Sequence, residues 1–282
     1  MTIRKVGVVG LGTMGAGIAQ VSVQAGFDTV GREVSEELAQ RGRGTIERYV
    51  NRGVEKGRVS EGERDAALAR LSLTTEIRDL ADCDLVIEAA LEEIELKREI
   101  FAELDRITRP DAILATNTSA LSVSEIAEAT KRPERVVGMH FFNPAPVLPL
   151  VEIVRANASS DVAVEAAYAW AEQAGKEPVR CRDTPGFIVN RILIPLLNDC
   201  VRVLDEADVE PEEMDKAMVN GAGWPLGPCA LIDLIGVDVH VHASTALHEK
   251  LQEPRMAAPE RLLRMQEDGA LGRKVGRGFY EY

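Results

Sequence analysis

Short apolar runs separated by longer stretches with charged faces make up the chain as far as about residue 184. Residues 3–10 read as a buried strand, because the apolar positions run on and do not alternate. A glycine-rich turn follows, then a helix over Ala16–Ala25 that Gly26 stops. Thr29–Val34 reads as a second, weaker strand with Gly31 as an untypical interior residue. Leu71–Thr75, Leu85–Glu88, Ile113–Thr116, Val136–Phe142, Leu150–Val154 and Pro178–Cys181 continue the strand series, with an amphipathic helix at Asp161–Ala174. Such alternation predicts an α/β fold around a mostly parallel sheet. The stretch from Ser35 to Leu71 is different: helical, densely charged and broken at Gly53 and Gly57. It reads as a helical hairpin inserted at about 35–71.

Beyond Asp183-Thr184-Pro185-Gly186 no convincing strand remains. Ile188–Asp205, Glu212–Met218, Ala230–His248 and Glu260–Gln266 read as helices. The expected organisation is a sheet domain over 1–184 and an all-α domain over 185–282.

Composition narrows the options. The 282 residues are 45% apolar, enough for a substantial core, but only 4% aromatic, so that core is aliphatic. A net charge of −13 argues against nucleic acid or an anionic membrane as partner. Cys83, Cys181, Cys200 and Cys229 form no CxxC pair, which fits reduced thiols in a cytoplasm and not a zinc site. With no apolar run of membrane-spanning length and no cleavage-type signal, no membrane association is expected.

The segment Gly10-Leu11-Gly12-Thr13-Met14-Gly15 joins the first strand to the first helix. That is the context a dinucleotide fingerprint requires. Gly10 permits the tight turn, Gly12 lets a pyrophosphate approach the backbone, and Gly15 lets helix and strand pack closely. A bare glycine turn without a ligand is the bland alternative. Glu33, at the end of the second strand, is placed to accept hydrogen bonds from ribose hydroxyls and to repel a 2′-phosphate, which favours NAD over NADP. The neighbouring Arg32 pulls the other way, since an arginine can hold that phosphate.

Oxidising an alcohol by hydride loss needs a base for the hydroxyl proton, and a histidine suits both directions. His240, His242 and His248 fall together in a late helical stretch without metal-ligand partners and read as packed or exposed helix residues. His140 lies at the C-terminal end of a strand, where open α/β sheets place their sites. The proline-rich Phe142–Pro149 segment turns the chain, so the next strand could lie alongside. Glu152 is a lone charge inside that strand, costly unless paired. Paired with His140 it would orient the ring and stabilise its charged form. Spacing alone fits an exposed edge-strand glutamate equally well.

Further segments occur in order: Glu88-Ala89-Ala90-Leu91-Glu92 with Lys97, Asn117-Thr118-Ser119, His140-Phe141-Phe142-Asn143-Pro144, Pro185-Gly186-Phe187-Ile188-Val189-Asn190-Arg191 and Gly272–Tyr280. With the glycine turn they resemble the 3-hydroxyacyl-CoA dehydrogenase family, in its stand-alone bacterial form, over essentially the whole chain. The resemblance implies a Rossmann-like NAD-binding domain and a helical domain for substrate and homodimer contacts. It implies interconversion of an (S)-3-hydroxyacyl-CoA, such as the 3-hydroxybutyryl thioester, and its 3-oxoacyl-CoA. By it, His140 is the general acid/base and Glu152 its orienting partner. Asn190 and Ser119 are implied at the substrate. Ala90, Glu92, Lys97, Asn117, Asn143 and Lys274 are implied around the cofactor, together with the turn residues Gly10 to Gly15. Taken alone, Lys97 would be a solvated helix lysine. Glu33 stands where the family more often has Asp, Gly31 where an apolar residue is usual, and Cys229 where a larger side chain is common. Neither Gly31 nor Cys229 is expected to touch the chemistry.

A CoA thioester is strongly anionic and fits poorly with an acidic protein. Residues 41–70 answer this with eight basic residues against five acidic ones. The segment is locally +3, and Arg52 and Lys56 are the expected phosphate contacts, although charge runs usually mean a solvated helix face. Two rivals stay open: a β-hydroxyacid or sugar-acid dehydrogenase on the same architecture, and a non-enzymatic NAD(H)-binding protein.

Overall fold

A computed structural model describes residues 2–282, which form two compact units that divide between Thr184 and Pro185. Among the described residues of the first unit, eight strands form one sheet. In chain order its elements are β1 (Lys5–Val9), α1 (Thr13–Gln24), β2 (Asp28–Arg32), α2 (Glu36–Glu55), α3 (Glu61–Ala69), β3 (Leu71–Thr74), β4 (Leu85–Glu88), α4 (Ile94–Ile107), β5 (Ile113–Thr116), α5 (Val123–Ala127), β6 (Val136–Phe141), β7 (Leu150–Arg155), α6 (Asp161–Gln173) and β8 (Glu177–Arg182).

The sheet order is β3-β2-β1-β4-β5-β6-β7-β8, and β1 to β6 are parallel. After β3 the chain crosses to the other side of β1. The switch point therefore lies between β1 and β4, and the crevice beyond their C-terminal ends is where such sheets take ligands. Val6, Val8, Leu85, Ile87, Ile113 and Leu114 are fully buried, as unbroken apolar strands covered on both faces should be.

Direction reverses once. The link between β6 and β7 is too short for a crossover helix, so β7 runs antiparallel to β6, with His140 directly opposite Glu152. Helix α6 then crosses over, and β8 lies parallel to β7. Phe141, pointing to the face opposite His140, packs edge-on against Trp170 of α6.

The inserted hairpin is α2 and α3. Ser35 caps the first helix, and Ser60 with Glu63 forms a capping box on the second. Gly53 does not break α2 as expected. It stays helical, with Val59 3.3 Å from where its Cβ would be, and the chain turns at Gly57, whose φ is +65°. Ala39, Gly42, Ile46 and Val50 form the buried stripe of α2, while its basic residues lie on the outer face.

The second unit contains α7 (Val189–Ala207), α8 (Pro211–Ala222), α9 (Pro228–Ile235), α10 (Val237–Leu251) and α11 (Glu260–Glu267). One expected helix, Ala230–His248, is really two. Gly236 takes φ +102°, and α9 and α10 meet at 94°. Leu197, Val201, Ile232, Val237, Val241 and Leu262 build the core. His240 is a core residue: Nε2 lies 2.9 Å from Asn198 Oδ1, and burial pushes its pKa down to about 4. His242 is exposed on α10, and His248 donates to the carbonyl of Glu253. Asp233 accepts from the amides of Phe279 and Tyr280 and from the Tyr282 hydroxyl, which ties the last residues to α9. Among the described residues, no single helix is long and apolar enough to cross a membrane.

Gly138 allows the β6–β7 pairing to close. A Cβ there would come within 2.7 Å of Val154 Cβ and 2.9 Å of Val123 Cγ2. Gly138→Ala is expected to destabilise by about 1–3 kcal/mol through overpacking, seen as a lower Tm. An unchanged Tm would show that the two strands yield at no cost.

Candidate active site

The glycine turn meets the steric demands of a dinucleotide. Gly10 has φ +85°, and a Cβ on Gly15 would sit 1.7 Å from the Gly10 carbonyl oxygen. At Gly12 nothing lies within 4 Å of a Cβ, so the backbone is open on that side. No side chain caps the N-terminus of α1, leaving its first amides and its partial positive charge to an anion. Leu11 anchors the turn from behind. Cβ atoms on Gly31 and Gly42 would come within 2.8 and 2.6 Å of the Leu11 side chain. Gly31 thus makes room for Leu11, because an apolar side chain on β2 would displace it.

Glu33 follows β2 and accepts from the amide of Leu11 at 2.6 Å and that of Val34 at 3.1 Å. Its carboxylate is therefore fixed at the lip of the turn. Arg32 Nε donates instead to the Thr75 carbonyl. An open anion-binding turn with a carboxylate beside it fits a dinucleotide carrying free ribose hydroxyls.

A buried network joins the ends of β4 and β5. Glu88, the last residue of β4, is fully buried and accepts from the Ala90 amide, the Thr116 hydroxyl and Lys97 Nζ. Lys97 is not the solvated lysine its charge suggests: it is 1% exposed and lies on the stripe that includes Ile100, Phe101 and Leu104. Its ammonium is 2.7 Å from Glu88 and 3.2 Å from Glu92. Removing one partner of such a pair typically costs ~3–5 kcal/mol. The second oxygen of Glu92 accepts from the Thr118 hydroxyl and from the amides of Ser119 and Ala120. Burial raises the Glu92 pKa, but Lys97 and these donors outweigh it and hold the carboxyl below its usual range.

The loop after β5 reaches the histidine. Asn117 Oδ1 accepts from the Phe141 amide at 3.0 Å. On the neighbouring residue, His140 Nδ1 is 2.6 Å from Glu152 Oε2. Glu152 is completely buried, so it is no exposed edge-strand residue. An ionised carboxylate only accepts, so the contact places the ring proton on Nδ1 and turns Nε2 away from Glu152. Phe142 lies against the ring at a centroid distance of 4.5 Å. On β8, burial together with Glu152 and Asp183 pushes the Cys181 thiol up to about 12, too high for a nucleophile at neutral pH.

Asn143 is exposed on the turn after β6. Buried Lys176 secures that turn by donating to the carbonyls of Ala145 and Leu148. The first unit thus brings together the glycine turn, Glu33, Ala90, Glu92, Lys97, Asn117, Ser119, Asn143, His140 and Glu152. Asn190, in the first turn of α7, and Lys274, paired with Asp238 at 2.6 Å, belong to the second unit. Arg52 and Lys56 are exposed at the end of α2. Sequence reasoning missed Glu88, Thr116, Thr118 and Lys176. Glu88 carried the same signal as Glu152, a charge in an apolar strand, and Lys97 fell on its helix's apolar stripe.

Comparison with known proteins agrees with this geometry. Residues 5–184 match the model of the 3-hydroxyacyl-CoA dehydrogenase NAD binding domain, and residues 186–282 that family's C-terminal domain. The chain is 47% identical over 282 residues to a 3-hydroxybutyryl-CoA dehydrogenase of Mycobacterium tuberculosis, covering 99% of each. It is 44% identical over 280 residues to one from Bradyrhizobium diazoefficiens, covering 99% of this chain and 96% of the relative. The crystal structure of (S)-3-hydroxybutyryl-CoA dehydrogenase from Ralstonia eutropha superposes with a TM-score of 0.95 at 40% identity, covering 100% of this chain and 99% of that one.

Proposed function

The chain belongs to the 3-hydroxyacyl-CoA dehydrogenase family, and we propose that it interconverts (S)-3-hydroxybutyryl-CoA and acetoacetyl-CoA with NAD. The observation that carries this reading is the buried His140–Glu152 pair in the same unit as an open dinucleotide turn. Bound NAD supplies the hydride acceptor, and NADH the donor in reverse. In oxidation, His140 Nε2 takes the hydroxyl proton of the substrate as the carbon loses hydride. Glu152 stabilises the imidazolium that results and keeps Nδ1 as the donor towards itself. In reduction the imidazolium returns that proton to the developing alkoxide, where its charge is also most useful. Ser119 holds the reacting oxygen, while Asn117 and Asn143 line the nicotinamide side.

Glu33 favours NAD, because a fixed carboxylate at the lip of the turn repels a 2′-phosphate, and Arg32 is directed to the Thr75 carbonyl. Arg52 and Lys56, which make no ion pair among the described residues, take the CoA phosphates. Exposed Ile192, Val203, Leu234 and Val239 support a homodimer through the second unit. Four free thiols support a cytoplasmic protein.

NADH oxidation with acetoacetyl-CoA tests the activity, with free acetoacetate as the control for a hydroxyacid dehydrogenase. His140→Ala is expected to lower kcat by ~10²–10⁴-fold while NADH binding stays near wild type. Retention of more than about a tenth of kcat would assign the proton to another residue. Wild type is expected to prefer NADH over NADPH, and Glu33→Ala to narrow that preference. Equal wild-type efficiency with both cofactors would make Arg32 the deciding residue.

A further inference from the structure

We propose that Leu11 is a positioning residue for the cofactor: its side chain, keyed between Gly31 and Gly42, fixes the Glu33 carboxylate and the open backbone of Gly12. The cofactor preference in this inference rests on the proposed function of Glu33; the packing does not. Two glycines stand where glycine is disfavoured. Gly31 is inside β2 and Gly42 in the first half of α2, and an interior glycine weakens either element. Both face one side chain. A Cβ on Gly31 would lie 2.8 Å from Leu11 Cδ1 and 3.0 Å from Cδ2. One on Gly42 would lie 2.6 Å from Leu11 Cβ and 3.2 Å from its carbonyl oxygen. Leu11 is only 4% exposed, although it belongs to a turn at the mouth of the crevice.

What Leu11 holds follows from its backbone. Its amide donates to Glu33 Oε1 at 2.6 Å, and the next residue is Gly12, whose backbone is the open side of the turn. The other anchors of this corner are strand bonds: the Gly10 amide donates to the Arg32 carbonyl, and the Glu33 amide to that of Thr74. They fix where the turn begins and where β2 ends. The path of Leu11 and Gly12 beyond them is set by the wedge. A side chain closed in by β2 on one side and by the α2 backbone on the other cannot turn without moving an element. Displace it, and the Leu11 amide leaves Glu33, whose carboxylate then keeps the Val34 amide alone among the described residues. A dinucleotide would lose its preset acceptor for the ribose hydroxyls, and a 2′-phosphate would meet a carboxylate free to swing away. Gly31 and Gly42 act only through Leu11.

The test is a swap of the large and small residues. Gly31→Leu, Leu11→Ala and the double variant are compared by Tm without cofactor and by NADH and NADPH affinity from fluorescence. Gly31→Leu overpacks the wedge and is expected to weaken NADH by at least about tenfold and to narrow the preference for NADH over NADPH by at least about threefold. In the double variant the leucine of β2 refills the space, with Leu73 Cδ2, 3.2 Å from its Cβ, as the neighbour that gives. Affinity and preference are expected to return to within about threefold of wild type, far short of the product of the single losses. Gly42→Ala is the second variant, for the case that Gly31→Leu does not fold. Alanine is the better helix former, so propensity alone would favour this change. It is nevertheless expected to weaken NADH by at least about fivefold, because Leu11 Cβ cannot rotate out of its way.

Single losses that multiply in the double variant would overturn the proposal, as would wild-type NADH affinity in both Gly31→Leu and Gly42→Ala. A fall in Tm with affinity and preference unchanged would equally overturn it, since Leu11 would then be a packing residue and nothing more. Glu33→Ala separates the two claims. If it leaves the wild-type preference unchanged, the reading of Glu33 fails, and recovery of NADH affinity in the swapped pair still decides whether Leu11 positions the turn. Failure of wild type to reduce acetoacetyl-CoA would count against the proposed activity, and the binding measurements would still decide this inference.

Discussion

One antiparallel pairing in an otherwise parallel run governs the chemistry of the first unit. Because β7 turns back on β6, His140 and Glu152 are cross-strand neighbours with side chains on one face. A buried carboxylate without a partner is too costly to keep, so the pair also fixes the register. A slip of one residue would send His140 to the face where Phe141 packs on Trp170, and would strand Glu152. The turn between the strands is held accordingly. Lys176 grips its carbonyls, and Gly17 of α1 gives Ala145 and Pro146 room to approach.

The rest of the crevice repeats the device of a carboxylate immobilised at or near a strand end. Glu33 follows β2 and holds the glycine turn by the Leu11 amide. Glu88 closes β4 and organises the loop that begins at Ala89. Glu152 sits on β7 and orients the histidine. In each case the carboxylate is held by backbone amides, an ammonium or an imidazole. Each of these carboxylates ties a segment at the crevice to the protein's own groups, and held positions of that kind are what catalysis by position and electrostatics needs.

Much of this was legible along the chain, for physical reasons. Strands covered on both faces leave unbroken apolar runs, so β4, β5 and β6 appeared nearly to the residue. Glu152 was noticeable because a charge inside such a run demands a partner, although only the observed register chose between pairing and an exposed edge. Taken alone, Lys97 reads as solvated because helical lysines usually are, and only the family resemblance drew it towards the cofactor. Its place one turn before Ile100 and Phe101 was the available sign of burial. Gly236 was passed over because its flanks are apolar and helical on both sides, and the sharp bend comes from a positive φ that periodicity does not reveal. Gly31 looked like a lapse in β2, since what it makes room for, Leu11, lies on a different element. Asn190 and Lys274 came from family resemblance alone. An asparagine in a helix and a lysine in a terminal loop carry no local signal.

The central claim is that Glu152 sets the histidine up to accept a proton at Nε2. Nitrogen-15 chemical shifts of the His140 ring, recorded where the imidazole is neutral, test it most directly. The account requires the Nδ1–H tautomer in wild type, with that preference weakened in Glu152→Gln, where the amide can either donate or accept. A neutral ring carrying its proton on Nε2 in wild type would contradict it, because the nitrogen turned away from Glu152 would then be unable to act as a base.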